Sequence, residues 1–156
     1  MKTSELKKLE AIGDWYQDFH EIADNPYVVT LSFTHRDGYR SLSKNRVHDV
    51  IYQHLDKLTY DLSVFLYKKS NVRRHKMRIP VSPIKIEYSE KIGFHVHFMI
   101  DYPEYAKSPE IWFDNNWSHI GKSEVKPLDE PFWHFYCMKI DTAIDYNNYT
   151  ENFVWI

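Results

Sequence analysis

Two histidines separated by a single residue, His95 and His97, have the type and spacing of metal ligands. The surrounding run GFHVHFMID is rich in β-branched and aromatic residues, which predicts a β-strand. Side chains alternate between the two faces of a strand, so both imidazoles project from the same face. Two imidazole nitrogens on one face form half of a metal site.

Glu87 is the predicted third ligand. Strand-like runs lie on both sides of the segment SEKI, a pattern typical of a β-hairpin. The register that pairs Tyr88 with Phe94 sets Glu87 opposite His95, on the face that carries the histidines. Two nitrogens and one carboxylate with open positions suit Mn²⁺ or Mg²⁺, and zinc is the alternative ion. A register slip of one residue would remove Glu87 from this face and make Glu90 the reserve ligand.

A second motif, Tyr136 and Lys139 in FYCMK, has the composition of a nucleophile with a neighbouring cation. Residues three positions apart share one face of a helix, so the hydroxyl and the ammonium can reach one site. A phenol, with a reference pKa of about 10, is a poor nucleophile at neutral pH, and a nearby cation makes its attack easier. Each motif alone has a simpler interpretation: two histidines on a solvated sheet face, and a half-buried tyrosine beside a surface lysine.

Hydrophobic periodicity predicts the elements that position these motifs. The run YVVTLSFT, residues 27–34, predicts a buried first strand, and apolar residues at helical spacing predict a helix over residues 43–67. The hairpin follows. Capping and periodicity then predict a helix over residues 108–117, a short strand over residues 123–126 and a helix from Pro131.

The order β-α-β-β-α-β-α predicts an α+β fold, a ferredoxin-like or RRM-like palm. In this fold an antiparallel sheet carries helices on one face, and here a C-terminal helix carries Tyr136. The N-terminal residues 1–15 are predicted to be a short polar lead-in. A length of 156 residues fits a single domain over residues 1–156.

Composition narrows the function classes. A net charge of −2 argues against a protein that coats long stretches of duplex DNA through many cationic contacts. No apolar run approaches the length of a membrane-spanning helix, the start lacks the features of a secretory signal, and the single cysteine excludes an internal disulfide. These features predict a cytoplasmic protein without a membrane partner.

One electropositive segment, residues 68–78 with the sequence KKSNVRRHKMR, contains six Lys or Arg residues and no acid. It is the candidate for gripping a DNA backbone or a hairpin. A solvated loop after the long helix is the alternative. The predicted DNA-binding residues are Lys68, Lys69, Arg73, Arg74, Lys76 and Arg78.

In three ordered motifs the chain resembles the HUH endonuclease superfamily, and within it the rolling-circle replication initiators of plasmids, filamentous phages and prophages. VVTLSFT is similar to the TLTF-like first strand of those proteins, HVH to their histidine motif, and Tyr136 with Lys139 to their YxxK motif. The wording GFHVHFMID and FYCMKID is especially similar to replication proteins of inovirus-like prophages. The resemblance spans roughly residues 28–141.

The resemblance implies an activity. The two histidines and Glu87 would hold a divalent ion, and Tyr136 would nick single-stranded DNA at an origin or hairpin through a covalent 5′-phosphotyrosine. Such a protein would act in the cytoplasm of a bacterial host and be encoded by a phage or plasmid. Gly121-Lys122-Ser123 lacks the earlier glycine of a phosphate-binding loop, so a separate helicase would unwind the DNA.

Other interpretations remain open from the sequence. A single-tyrosine HUH transposase has the same chemistry and a similar length. A non-catalytic RRM-like module would instead use the HVH motif and the aromatic faces to stack bases of single-stranded nucleic acid without cleavage. Some superfamily members use two tyrosines, and Tyr146 and Tyr149 lie downstream of Tyr136. Tyr149 is a candidate for a second nucleophile, with an ordinary surface tyrosine as the alternative. His35 and Arg36 are further candidates for DNA contact, with a solvated turn as the alternative.

Overall fold

A computed structural model describes residues 3–34, 39, 42–129, 143 and 149–156 of the chain. None of the helices within these ranges is both long and apolar enough to cross a lipid bilayer. The elements in chain order are α1 (Thr3–Ile22), β1 (Pro26–Ser32), α2 (Lys44–Tyr67), α3 (Lys69–Arg74), β2 (Ile84–Ser89), β3 (Gly93–Asp101), α4 (Pro109–Trp117), β4 (Ser123–Pro127), a 3-10 helix (Tyr149–Asn152) and β5 (Phe153–Val154).

The strands form one antiparallel sheet in the order β4-β1-β3-β2-β5. The α+β class is confirmed, and the order of the first four strands is compatible with a ferredoxin-like arrangement. The predicted hairpin is present, and its register pairs Tyr88 with Phe94 and Glu87 with His95. This register assigns every side chain of β2 and β3 to one of the two sheet faces.

One face of the sheet is the main hydrophobic core. Val96 and Phe98 of β3 and Leu31 of β1 are fully buried on this face, beneath α2 and α4. The predicted α2 begins directly after Ser43, although the Ser43 hydroxyl makes no capping hydrogen bond. Burial of one such large apolar side chain contributes about 1.5–3 kcal/mol before the entropic cost of ordering. The buried residues of α2 recur at helical spacing: Val47, Ile51, Leu55, Leu58 and Leu62.

The opposite face is covered by α1, which was predicted to be a short polar lead-in. That prediction was wrong, because α1 carries a narrow apolar stripe of Leu9, Ile12 and Tyr16. The stripe packs against Met99 of β3 and Phe153 of β5. The sequence had predicted helices on one face of the sheet. In the structure, helices lie on both faces.

Two further segments differ from expectation. The basic segment is not a simple loop, since residues Lys69–Arg74 form the short helix α3 and bury Val72. The C-terminal residues, where the sequence predicted no strand, form the 3-10 helix and β5, and β5 pairs with β2 at the sheet edge. The predicted helix from Pro131, which would carry Tyr136, lies outside the described residues.

Gly121 has a structural role in the segment that superficially resembles part of a phosphate-binding loop. A β-carbon at this position would lie 1.9 Å from the backbone oxygen of Ser32. The same strand end is held by the Trp117 indole N–H, which donates to the Ser32 oxygen at 2.8 Å, and by the Lys122 N–H, which donates to the Ser32 hydroxyl at 2.9 Å. Close backbone approach therefore explains the glycine.

We expect Gly121→Ala to lower the free energy of unfolding by about 3 kcal/mol, because the clash is with backbone that cannot rotate away. Gly13→Ala is the matched control: it lies in α1 with open space around its α-carbon and should raise stability by about 0.5–1 kcal/mol. Urea denaturation monitored by circular dichroism measures both values. Equal stability of Gly121→Ala and the unsubstituted protein would contradict this packing.

Candidate metal centre

Three buried side chains from the β2–β3 hairpin meet on the sheet face that α1 covers. One carboxylate oxygen of Glu87, Oε2, lies 3.0 Å from Nε2 of His95 and 3.0 Å from Nε2 of His97. The residues Glu87, His95 and His97 are only 3%, 6% and 6% exposed, respectively. The antiparallel register produces this meeting, because Glu87 is paired with His95, and His97 is two residues further along the same face.

The backbone of Gly93 fixes the tautomer of His95 and therefore the state of the ring nitrogen that faces Glu87. His95 Nδ1 lies 3.1 Å from the backbone oxygen of Gly93, and a carbonyl oxygen only accepts, so Nδ1–H is the donor. In a neutral imidazole, Nε2 then presents a lone pair to the Glu87 carboxylate. Two electron-rich atoms 3.0 Å apart repel each other unless a cation lies between them, and a proton or a metal ion meets this need.

His97 is oriented by the first strand. Its Nδ1 lies 2.9 Å from the hydroxyl of Thr30 in β1, and Thr30 is paired with His97 across the sheet. A ligand histidine usually donates its second ring N–H to an oxygen in this way, which fixes the ring and its tautomer. The TLSF run of the first strand therefore contributes a group that touches a candidate ligand.

The donor atoms fit a metal ion. The three candidate ligand atoms all lie within 4.8 Å of one another, and within the described part of the chain no other group of three or more His, Cys, Asp or Glu residues does so. Two donors 3.0 Å apart can share one ion at ordinary ligand distances of about 2.1 Å, at an angle near 90°. The Glu87–His95–His97 group could therefore hold a metal ion, as the sequence predicted.

Lys85 is a neighbour of this site that sequence reasoning missed. It is fully buried, shares the face of Glu87 and is paired with His97 across the hairpin. Its Nζ lies 4.9 Å from the centre of the Phe153 ring, a cation–π contact that compensates part of the cost of burying the charge. Strand alternation would have placed Lys85 beside Glu87, but a lysine in such a position is ordinarily exposed.

Of the other predicted site residues, none that the structure describes belongs to this cluster. Glu90, the reserve ligand, is exposed in the turn between β2 and β3. Tyr136, Lys139 and Tyr146 lie outside the described residues, as do His35 and Arg36, so their predicted roles stay predictions. Tyr149 begins the C-terminal 3-10 helix.

The predicted DNA-binding residues of the segment 68–78 are exposed, and they lie at the C-terminal end of α2 and beyond it. Since α2 packs on the face opposite to His97, these residues are not part of the metal site. The guanidinium of Arg78 lies 4.4 Å from the centre of the Tyr60 ring, which gives it a contact within the fold. Contact between this segment and DNA stays a prediction.

Comparisons of the chain with protein-family models, with curated proteins and with solved structures gave no match.

Glu87→Gln should separate a metal site from a proton-bridged cluster. The glutamine amide can donate to a histidine lone pair, so the fold is retained, whereas loss of the anionic oxygen should weaken Mn²⁺ binding by about a hundredfold. Isothermal titration calorimetry measures the affinity, and Mn²⁺ at a hundredfold excess over its Kd should stabilise the unsubstituted protein by about 2.7 kcal/mol. His119→Ala, at an exposed histidine outside the site, is the control and should bind normally. Equal Mn²⁺ affinity in Glu87→Gln would refute the assignment.

Thr30→Val tests the hydroxyl that contacts His97. Valine has nearly the same shape but no oxygen, so His97 loses the partner that orients its ring, and Mn²⁺ affinity should fall by about tenfold. Calorimetry under the same conditions gives the Kd. An unchanged Kd would mean that backbone pairing alone orients His97.

Proposed function

We propose that this protein is a metal-dependent endonuclease that nicks and rejoins single-stranded DNA through Tyr136. The observation that carries the proposal is the buried cluster in which one Glu87 oxygen lies 3.0 Å from Nε2 of both His95 and His97. Two nitrogens and a carboxylate oxygen suit a divalent ion, and we propose Mn²⁺ or Mg²⁺. Such an ion supplies positive charge that polarises a phosphodiester.

The course of the chain around the proposed nucleophile supports this assignment. Ala143, seven positions after Tyr136, forms a β-bridge with Glu87 itself. Ala143 is buried in the cluster beneath α1, on the face that carries the histidines, and Leu128 packs against the same cluster. Leu128 and Ala143, which lie before and after the Tyr136 motif in the chain, therefore both contact the hydrophobic cluster on the face where the metal ligands lie.

The proposed reaction is a reversible transfer of a phosphoryl group. The phenol of Tyr136 loses its proton, its oxygen attacks phosphorus, and the bond from phosphorus to the 3′ oxygen breaks. The 3′ oxygen takes up a proton, and the 5′ phosphate remains esterified to Tyr136. Lys139 offsets negative charge on the phosphoryl oxygens, and the covalent ester preserves the bond energy for rejoining by a 3′ hydroxyl. In this proposal a partner helicase separates the duplex.

The environment of the histidines disfavours the module that only binds nucleic acid. Such a module would present aromatic faces to solvent for stacking, whereas both imidazoles are buried and turned toward Glu87. A single-tyrosine transposase would have the same site and chemistry and differs in its biological outcome.

We expect a covalent adduct that resists denaturant when the full chain is incubated with Mn²⁺ and pools of randomised single-stranded DNA, both linear and hairpin. Tyr136→Phe removes the nucleophilic oxygen and should abolish the adduct, lowering the rate by at least about 10⁴-fold. Gel electrophoresis with labelled DNA measures the adduct, and sequencing of the attached strand gives the target.

Two controls define the outcome. EDTA should abolish the adduct, and Tyr105→Phe, at a highly exposed tyrosine elsewhere on the surface, should leave it unchanged. An adduct that persists in Tyr136→Phe would move the nucleophile to Tyr146 or Tyr149. Absence of an adduct from a protein with measured Mn²⁺ occupancy, in both pools, would overturn the proposed function.

A further inference from the structure

A cavity of about 440 Å³ opens at the edge of the sheet beyond β5, away from the metal ligands. The helix α1 forms one wall with Lys8, Ile12 and Trp15, α2 contributes His48, and the C-terminal segment contributes Phe153 and Trp155. Cavities of about 300–1,000 Å³ with mostly apolar walls and a few polar groups are typical of small-ligand sites.

The two tryptophans give the cavity aromatic walls that remain open to solvent. The rings of Trp15 and Trp155 are in edge-to-face contact, with centroids 5.6 Å apart and planes at 85°. Their residues are nevertheless 53% and 42% exposed, which is high for the largest apolar side chain. An exposed indole face stacks favourably with a planar ring of a ligand.

His48 supplies an unused hydrogen-bonding atom at the same cavity. Its Nε2 is buried and has no hydrogen-bond partner among the residues that the structure describes. Buried polar atoms are normally paired, so an orphaned ring nitrogen in a residue that lines a cavity is an independent sign of a ligand. A ring nitrogen can donate to or accept from the edge of a nucleobase.

The frame of the cavity is held together by Glu5. Its Oε1 accepts the backbone N–H of Thr150 at 2.9 Å and the Thr150 hydroxyl at 2.8 Å, which joins α1 to the C-terminal 3-10 helix. These bonds, the backbone one first, lower the pKa of Glu5. The two charged residues that line the cavity, Lys8 and Glu151, carry opposite charges. The cavity therefore suits an uncharged planar group better than a phosphate.

We propose that this cavity binds a nucleobase of single-stranded DNA, and that the base belongs to the strand engaged at the metal centre. The second statement rests on the proposed function. Phe153, which lines the cavity, is paired with Lys85, and Lys85 is paired with His97. Two strand spacings, about 10 Å, separate Phe153 from His97 across the sheet. A single DNA strand can cover this distance within a few nucleotides, so one strand can reach both places.

The test is a fluorescence titration of the full chain with hexadeoxyadenylate and with an abasic hexamer of the same charge, each in EDTA and in Mn²⁺. We expect the base-containing strand to quench tryptophan fluorescence and to bind at least about tenfold more tightly than the abasic strand in both conditions. Trp15→Ala should lower the affinity for the base-containing strand by about tenfold. His48→Ala should also weaken binding of this strand, although both tryptophans are still present. Tyr105→Ala, at an exposed aromatic residue outside the cavity, is the control and should bind normally.

The outcomes distinguish this inference from the proposed function. Binding in EDTA that depends on Trp15 and His48 supports the base site even where Tyr136 forms no adduct. Equal affinity for the abasic and base-containing strands, or unchanged affinity in both Trp15→Ala and His48→Ala, overturns the base site even where the adduct forms. If one strand occupies both sites, Mn²⁺ should raise the affinity for the base-containing strand, and Trp15→Ala should lower that affinity by the same factor with and without Mn²⁺. A lower affinity in Mn²⁺ than in EDTA would overturn the statement that the base belongs to the strand at the metal centre.

Discussion

The pairing of Glu87 with His95 across the β2–β3 hairpin is the interaction on which the rest of the site depends. A carboxylate and an imidazole opposite each other on one face place a third residue, His97, within reach of the same oxygen. The fold maintains this register through both strands of the hairpin, because Ile86 of β2 and Val96 of β3 are fully buried on the opposite face of the sheet. The apolar core therefore maintains the geometry of the polar cluster through the alternation of the strands.

The two faces of the sheet have different physical roles. The face beneath α2 and α4 is a continuous apolar core, whereas the face beneath α1 combines apolar contacts with the buried groups Lys85, Glu87 and the two histidines. Buried polar groups require partners, and the partners come from several strands: Thr30 from β1, the Gly93 carbonyl from β3 and the Phe153 ring from β5. The site is thus connected to nearly the whole sheet, and the cavity beyond β5 shares one of these partners, Phe153.

Local patterns were sufficient to predict α2, the hairpin, its register and the three candidate ligands, since each depends on residues close together in the sequence. The helix α1 was missed because its three-residue apolar stripe becomes meaningful only against Met99 and Phe153, which are distant in the chain. The two residues of β5 are too few for any periodicity, and their pairing depends on the free edge of β2. The burial of Lys85 and the requirement for glycine at position 121 are likewise tertiary effects, set by contacts with Phe153 and Ser32.

Glu87 has two roles. Its carboxylate faces the histidines, and its backbone forms a β-bridge with Ala143. An insertion or deletion of one residue within β2 would turn its side chains to the opposite face of the sheet. The same change would displace the residue that pairs with Ala143. Changes of length in this region are compatible with the site only in the turn between β2 and β3, where Glu90, Lys91 and Ile92 are exposed. Among related chains, length variation in the hairpin should therefore be confined to that turn.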